Sequence, residues 1–168
     1  MKKIGLAILV FFLIGLSAQA QNVGGIWLSG PGIVGDGTGV HNGETQVISL
    51  QDSVINTMDL STGARAGKLV IGNIRFKKSV NANSVSLFAS ISRATILPNL
   101  AFKFYERKQN GSIAPVLTIT VSNVIVTMYK IELPDSNSSQ AAEEISLLFD
   151  KIQLLDSTGN SAVAGRSF

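Results

Sequence analysis

One short pattern in the chain has the spacing of a dinucleotide-binding loop, GxGxxG, at Gly30, Gly32 and Gly35. In such sites a helix follows the glycines, and its N-terminus receives the pyrophosphate. The residues that follow here, 36–43, contain three further glycines and favour a loop over a helix. No Gly-Lys-Ser/Thr follows either, which excludes a P-loop. The pattern therefore predicts a long, mobile, glycine-rich extended loop over residues 30–43 and no nucleotide site.

The one histidine of the chain, His41, lies in this loop. Hydrolytic triads and catalytic zinc sites commonly use histidines that a rigid shell orients. A glycine-rich loop provides no such shell, so we expect His41 to be exposed to solvent. Asp36 and Glu44 could join it in binding a metal weakly, but nothing in the sequence fixes their geometry. We therefore predict no metal site and no catalytic histidine.

Acidic residues cluster at two places, Glu132 with Asp135 and Glu143 with Glu144. Paired carboxylates can act as acid and base when a pocket separates their pKa values. Both groups flank a predicted turn over residues 134–142, where charges are usually solvated. We therefore expect no enzymatic activity and no cofactor.

Composition limits the partners of the chain. Charged residues make up 15% of its 168 residues, against about 25% in an average soluble domain. Basic residues form no cluster larger than pairs such as Lys77 and Lys78, which argues against nucleic-acid binding. The absence of cysteine excludes disulfides. A surface with so few charges favours burial against copies of the same chain.

The N-terminus has the layout of a secretory signal peptide. Two lysines precede an apolar run over residues 4–16, and Ala18 and Ala20 have the spacing of a cleavage site. The run has 13 residues, whereas a membrane-spanning helix needs about 20. We therefore predict that residues 1–20 are a signal peptide. This implies export by the general secretory route to the periplasm or the exterior, with no stable membrane anchor.

Alternating apolar residues predict a chain built of β-strands, as Val70, Ile74 and Phe76 illustrate. Strands are predicted over residues 26–28, 45–56 and 68–76. Turns are predicted at residues 110–111, 134–139 and 157–160.

The apolar face of the later strands changes parity twice. Ile119 and Val121 occupy odd positions, whereas Val124 is even; Phe149 is odd, whereas Ile152 is even. A one-residue β-bulge or a barrel corner keeps both halves of such a strand facing one core. The two breaks therefore favour a strongly curved sheet or a closed barrel over a flat sandwich.

One short α-helix is predicted from the helical spacing of Leu87, Phe88 and Ile91. Lys77 and Lys78 precede it, and either contact an acidic neighbour across a subunit interface or face water. Three residues before the helix can accept hydrogen bonds from its free N–H groups: Asn81, Asn83 and Ser84.

The segment 68–155 resembles the haemolysin-coregulated protein (Hcp) family, the inner-tube subunits of type VI secretion systems. Four residues match the family pattern where a strand leads into the helix: Phe76, Lys78, Ser84 and Leu87. Asn81 stands where the family usually has Asp, and Val85 where it usually has Pro. Later segments similar to family strands are 98–104, 119–127 and 144–149, the last continuing to Ile152.

The resemblance implies an all-β fold with one short α-helix, in which curved antiparallel sheets close into a small Hcp-like β-barrel over residues 21–168. It implies a non-enzymatic structural or carrier protein that forms homo-hexameric rings, can stack, and can carry secreted effector cargo. Candidate family-motif or interface residues are Phe76, Lys77, Lys78, Asn81, Ser84 and Leu87. The loop over 30–43 occupies the place of the family's ring-stacking loop, with candidates Gly32, Ile33, Val34, Asp36 and His41.

Two alternatives stay open. Family members assemble in the cytoplasm without a cleaved signal, so this chain could be an exported Hcp-like protein that works outside a contractile machine; an uncleaved signal would imply a cytoplasmic tube. The other alternative is a secreted β-sandwich carbohydrate-binding module. Its candidate sugar-stacking residues are Trp27, Tyr105 and Tyr129, which are not grouped in the sequence.

Overall fold

The computed structural model describes residues 24–55, 69–132 and 141–166. The predicted signal peptide and the predicted turn over 134–139 lie outside these residues. The described strands are β1 (Gly25–Ser29), β2 (Thr45–Val47), β3 (Ser49–Gln51), β4 (Val54–Ile55), β5 (Val70–Ile71), β6 (Ile74–Ser79), β7 (Leu97–Arg107), β8 (Ile113–Glu132), β9 (Ala142–Leu148), β10 (Lys151–Asp156) and β11 (Ser161–Gly165). The described helical elements are one α-helix, α1 (Ser84–Ser92), and one 3-10 turn, Gly39–His41.

Nine of these strands form one antiparallel sheet, whose main path runs β2-β1-β7-β8-β9-β6-β3. β10 pairs with β8 and β11, and β4 pairs with β5 in a separate two-stranded sheet. β2 and β3 lie at opposite ends of the path, yet only Ile48 separates them in the chain. The Ile48 N–H donates to the Lys77 carbonyl of β6 at 2.7 Å. The predicted class, antiparallel all-β with one helix, is confirmed.

The predicted strand over 45–56 is not continuous. β2 pairs with β1, whereas β3 pairs with β6, so the chain changes partner at Ile48. It then leaves the main sheet to form β4. Sequence alternation could not show this, because a strand that changes partner keeps its extended backbone while its buried face turns.

Both predicted changes of parity are confirmed, and they lie at one corner of the sheet. In β8 the buried residues Ile119 and Val121 are followed by the buried Val124. Between them Asn123 has a left-handed backbone, with φ of 52°. Its amide donates to the Asp150 carboxylate at 2.9 Å, at the break between β9 and β10. The corner therefore turns both strands while each keeps its apolar side on the core.

A single core of aliphatic and aromatic side chains fills the space inside the curved sheet. α1 packs against β8 and adds Leu87, which is fully buried, whereas the adjacent Phe88 is 56% exposed. Asn83 occupies the N-cap position of α1 without capping it through its side chain. Its amide donates instead to the Thr45 hydroxyl of β2. The prediction of a side-chain cap is therefore wrong, because the buried Asn83 finds a partner in the sheet.

Within the described residues, none of the helical segments has the length and apolar character that a membrane crossing requires.

Candidate functional site

Two of the motif residues, Phe76 and Leu87, belong to the core, with 1% and 0% of their surface exposed. The Phe76 ring packs edge-on against Phe102 of β7, with 5.4 Å between ring centroids. Aromatic pairs favour this geometry, because the positive edge of one ring meets the negative face of the other. Phe76 thereby joins two strands of the sheet, and Leu87 brings α1 into the same core.

Lys78 is fully buried on β6 and lies on the same face as Phe76. It forms an ion pair with Glu143, the residue directly opposite on β9. Its ammonium also donates to the Ser79 carbonyl (3.0 Å), the Asn81 side chain (2.6 Å) and the Ser84 hydroxyl (3.1 Å). Burial lowers the pKa of Lys78, and the contact with Glu143 opposes that shift. The expectation that Lys78 meets a subunit interface or water is therefore wrong.

Glu143 is also fully buried, and three donors satisfy its carboxylate. Lys78 and the Ser84 hydroxyl (2.8 Å) bind one oxygen, and the Tyr129 hydroxyl donates to the other. The expectation that Glu143 is solvated is wrong. A buried charge is tolerated only when it is paired and hydrogen-bonded, as it is here. We call Lys78, Asn81, Ser84, Tyr129 and Glu143 the polar network.

The hydroxyl of Tyr129 should lose its proton at an unusually high pH. Burial, together with the hydrogen bond to Glu143, raises the pKa of Tyr129 to about 12. We expect its phenolate absorbance to appear only near pH 12, above the usual value of about 10. Because the neutral form is favoured in the folded state, this contribution to stability is lost as the pH rises from about 10 through 12.

A spectrophotometric titration measures this shift. Tyr129→Phe identifies the transition by subtraction, which is needed because burial also raises the pKa of Tyr105. Glu143→Gln removes the negative charge and should move the Tyr129 transition back toward lower pH. A wild-type Tyr129 transition near pH 10 would contradict the network as described.

Asn81 connects the polar network to the glycine-rich segment. Its side-chain amide donates to the Asp36 carboxylate at 2.9 Å, and its backbone N–H donates to the Ser84 hydroxyl at 3.0 Å.

The five predicted ring-stacking residues have different surroundings. Val34 is 68% exposed and Gly32 is exposed with a positive φ of 79°, whereas Ile33 is part of the core. As predicted, no helix follows the GxGxxG glycines; among the described residues only the 3-10 turn comes before β2.

His41 is buried, with 4% of its surface exposed, so the predicted exposed loop histidine is wrong. Its ring stacks on Trp27 with centroids 3.9 Å apart and planes 4° apart, and it meets Tyr105 edge-on at 4.5 Å. Its Nδ1 donates to Glu44 at 3.2 Å, since an ionised carboxylate can only accept. Lys103 (2.7 Å) and the Tyr105 hydroxyl (3.2 Å) bind the other Glu44 oxygen. We call these five residues the clasp.

The structure of the clasp also shows whether the candidate sugar-stacking residues are open to solvent. Trp27 and Tyr105 come together, but they are 8% and 9% exposed. Tyr129 lies apart from them in the polar network and packs edge-on against Phe88, with centroids 5.5 Å apart. A sugar-binding module needs aromatic faces open to solvent, which this pair does not provide.

Lys77 and Glu132, two further charged candidates, are paired near the surface. Lys77, 40% exposed, binds Glu132 at 2.8 Å, and Lys130 binds the same carboxylate at 3.1 Å. Across the described part of the chain, no group of three His, Cys, Asp or Glu residues is placed to hold a metal ion.

The sequence carried a signal for the polar network that the motif alone did not reveal. Lys78 has the same parity as Ile74 and Phe76, and Glu143 has the same parity as Ile145 and Leu147. Residues of one parity share one face of a strand. Each charge therefore falls on the buried face of its strand, and two opposite charges on buried faces are natural partners. No comparable pattern in the sequence indicated the clasp, because its members come together only through strand pairing.

A family model described as "Type VI secretion system effector, Hcp" matches residues 26–155. The chain belongs to the Hcp family. The resemblance inferred from the motif is thereby confirmed, and the fold and the family together support a non-enzymatic, Hcp-like structural protein. The carbohydrate-binding alternative is not favoured. No curated protein sequence matches the chain significantly.

Solved Hcp structures share the fold. A "Crystal structure of Hcp protein" is 17% identical and superposes with a TM-score of 0.72, covering 84% of this chain and 97% of that one. Hcp1 from Salmonella typhimurium is 22% identical with a TM-score of 0.66, covering 85% and 93%. The "Secreted protein Hcp3 from Pseudomonas aeruginosa" is 14% identical with a TM-score of 0.66, covering 84% and 98%. The fold is thus retained at low sequence identity.

Proposed function

We propose that this Hcp-family protein is an exported structural subunit that assembles into homo-hexameric rings, which can stack and accommodate secreted effector cargo. The observation that carries the proposal is the family match over 26–155, with the motif residues Phe76, Lys78, Ser84 and Leu87 all placed inside the fold. All four residues lie inside the subunit and contribute to its folded structure. The motif therefore stabilises a rigid building block.

We infer that the curved sheet closes into a small barrel. β2 and β3 share one stretch of chain, and they pair with β1 and β6 at the two ends of the sheet path. Closure through this stretch would leave few free edges on the main sheet, which limits random strand pairing between copies. A rigid, nearly edge-free unit suits assembly through side-chain surfaces.

An uncharged apolar patch supports contact with other copies. Val85 and Phe88 on α1 are 75% and 56% exposed, and Ile131 at the end of β8 is 56% exposed. Together with Tyr129 they line one shallow groove. Apolar residues without charges characterise the buried centre of subunit interfaces.

Export is part of the proposal and rests on the sequence of residues 1–20, which lie outside the described residues. The intact mass of the protein recovered from the periplasm or the medium tests it. Loss of residues 1–20 would agree with a cleaved signal peptide. A full-length mass would favour the cytoplasmic tube.

Light scattering after size exclusion, combined with negative-stain images, tests the assembly. We expect a concentration-dependent species of hexamer mass and ring-shaped particles. Phe88→Ser should weaken this species without unfolding the chain, because Phe88 is 56% exposed. A chain that stays monomeric at high concentration would contradict the ring proposal and leave the fold assignment intact.

A further inference from the structure

The glycine-rich segment between β1 and β2 is folded back on the body of the subunit. We call its residues 33–44 the strap. The Gly35 N–H donates to the Gly43 carbonyl at 3.2 Å, and the Gly37 N–H donates to the Glu44 carbonyl at 2.8 Å. A Cβ on Gly35 would lie 2.1 Å from the Glu44 carbonyl, and one on Gly37 would lie 2.2 Å from the His41 carbonyl. These two glycines therefore allow close backbone packing, and the segment is folded back on the subunit where an extended loop was predicted.

Two anchors on different elements hold the strap. The clasp fixes its C-terminal part, because His41 lies between rings from β1 and β7 while Glu44 binds Lys103. Near its middle, Asp36 accepts a hydrogen bond from Asn81, just before α1. The strap presents two exposed valines, one on each side of Asp36 in the sequence: Val34 at 68% and Val40 at 58%.

We propose that His41 and Glu44 are positioning residues for self-association, which hold the strap so that Val34 and Val40 contact a second copy of the chain. The inference rests on the proposed self-assembly and adds how the contact is prepared. Asp36 is the one charged residue between the valines, and Asn81 already binds it. A second copy therefore meets a surface with a single charge, whose carboxylate already accepts a hydrogen bond from Asn81.

The clasp matters because of conformational entropy. Glycine loses more backbone freedom on ordering than any other residue, so an unanchored strap would oppose association. A strap that is ordered during folding loses its conformational entropy before association. Such preorganisation strengthens binding. Removing the clasp should therefore weaken association even though His41 and Glu44 are themselves buried.

The test uses three variants. His41→Ala removes the ring stack and the bond to Glu44, His41→Phe keeps a ring on Trp27, and Val34→Ser/Val40→Ser changes the proposed contact alone. Hydrogen exchange of the Gly35 and Gly37 amides reports strap order, because both amides donate within the strap. Quenching of Trp27, the single tryptophan, is a second readout. Light scattering over a dilution series reports self-association.

We expect His41→Ala to lose about tenfold or more in strap amide protection and about tenfold in self-association. His41→Phe should restore most of both. Val34→Ser/Val40→Ser should keep wild-type protection yet associate about tenfold more weakly.

Either of two results would overturn the inference: a released strap with unchanged association, or wild-type association in the double valine variant. A wild type that never self-associates would remove the proposed function as well. Amide protection would then still show whether His41 holds the strap, so the two failures can be told apart.

Discussion

Replacing Lys78 with methionine is expected to lower the free energy of unfolding by about 3–5 kcal/mol. The substitution leaves the Glu143 carboxylate fully buried, with only Ser84 and Tyr129 as donors. An uncompensated charge in the interior is costly because the charged group loses its hydrogen bonds to water and the protein does not replace them. Urea unfolding followed by circular dichroism measures the loss.

The adjacent residue provides a matched control. Lys77→Met removes the same charge one position away, where the side chain is 40% exposed and bound to Glu132. Surface pairs contribute little, so the unfolding midpoint should be nearly unchanged. Lys78→Met combined with Glu143→Gln should recover part of the loss, because the remaining side chain is no longer charged. Equal losses for the two lysines would show that burial of the pair does not matter.

Truncating Leu87 to alanine is expected to cost about 2–5 kcal/mol of unfolding free energy. Leu87 is completely buried where α1 meets the sheet, and alanine would leave a cavity there. The measurement is the shift in urea midpoint at constant slope, which separates a change in stability from a change in compactness.

Phe88→Ala is the control from the next helical position. Its side chain is 56% exposed and makes one edge-on contact, with Tyr129. A surface substitution of this kind changes stability by about 0.5 kcal/mol or less. If Phe88→Ala were as destabilising as Leu87→Ala, the groove beside α1 would be part of the folding core and could not serve as an assembly surface.

The strap changes how the glycine content of this chain is understood. Clustered glycines usually indicate flexibility, because glycine has access to conformations that other residues avoid. Here Gly35 and Gly37 allow the strap backbone to approach Glu44 and His41 closely. The segment is thus a built surface of the subunit, with Val34 and Val40 at its exposed positions. Any role in stacking would start from this fixed shape.

The fold class, the resemblance to the family and the corner of the sheet could all be predicted from the sequence. Alternation identifies strands because side-chain direction has a period of two, and the changes of parity near Asn123 and Asp150 reveal a bend for the same reason. The motif of Phe76, Lys78, Ser84 and Leu87 pointed to the family because it depends on local spacing.

The contacts of the charged and aromatic residues could be seen only in the folded chain. Glu143 is paired because β6 and β9 lie side by side, although Lys78 and Glu143 are far apart in the chain. His41 is buried because β1 and β7 bring Trp27 and Tyr105 to it from distant parts of the chain. Such contacts depend on strand order and register, which the periodicity of one segment does not encode. The same pairing anchors the segment for which the sequence predicted an extended loop.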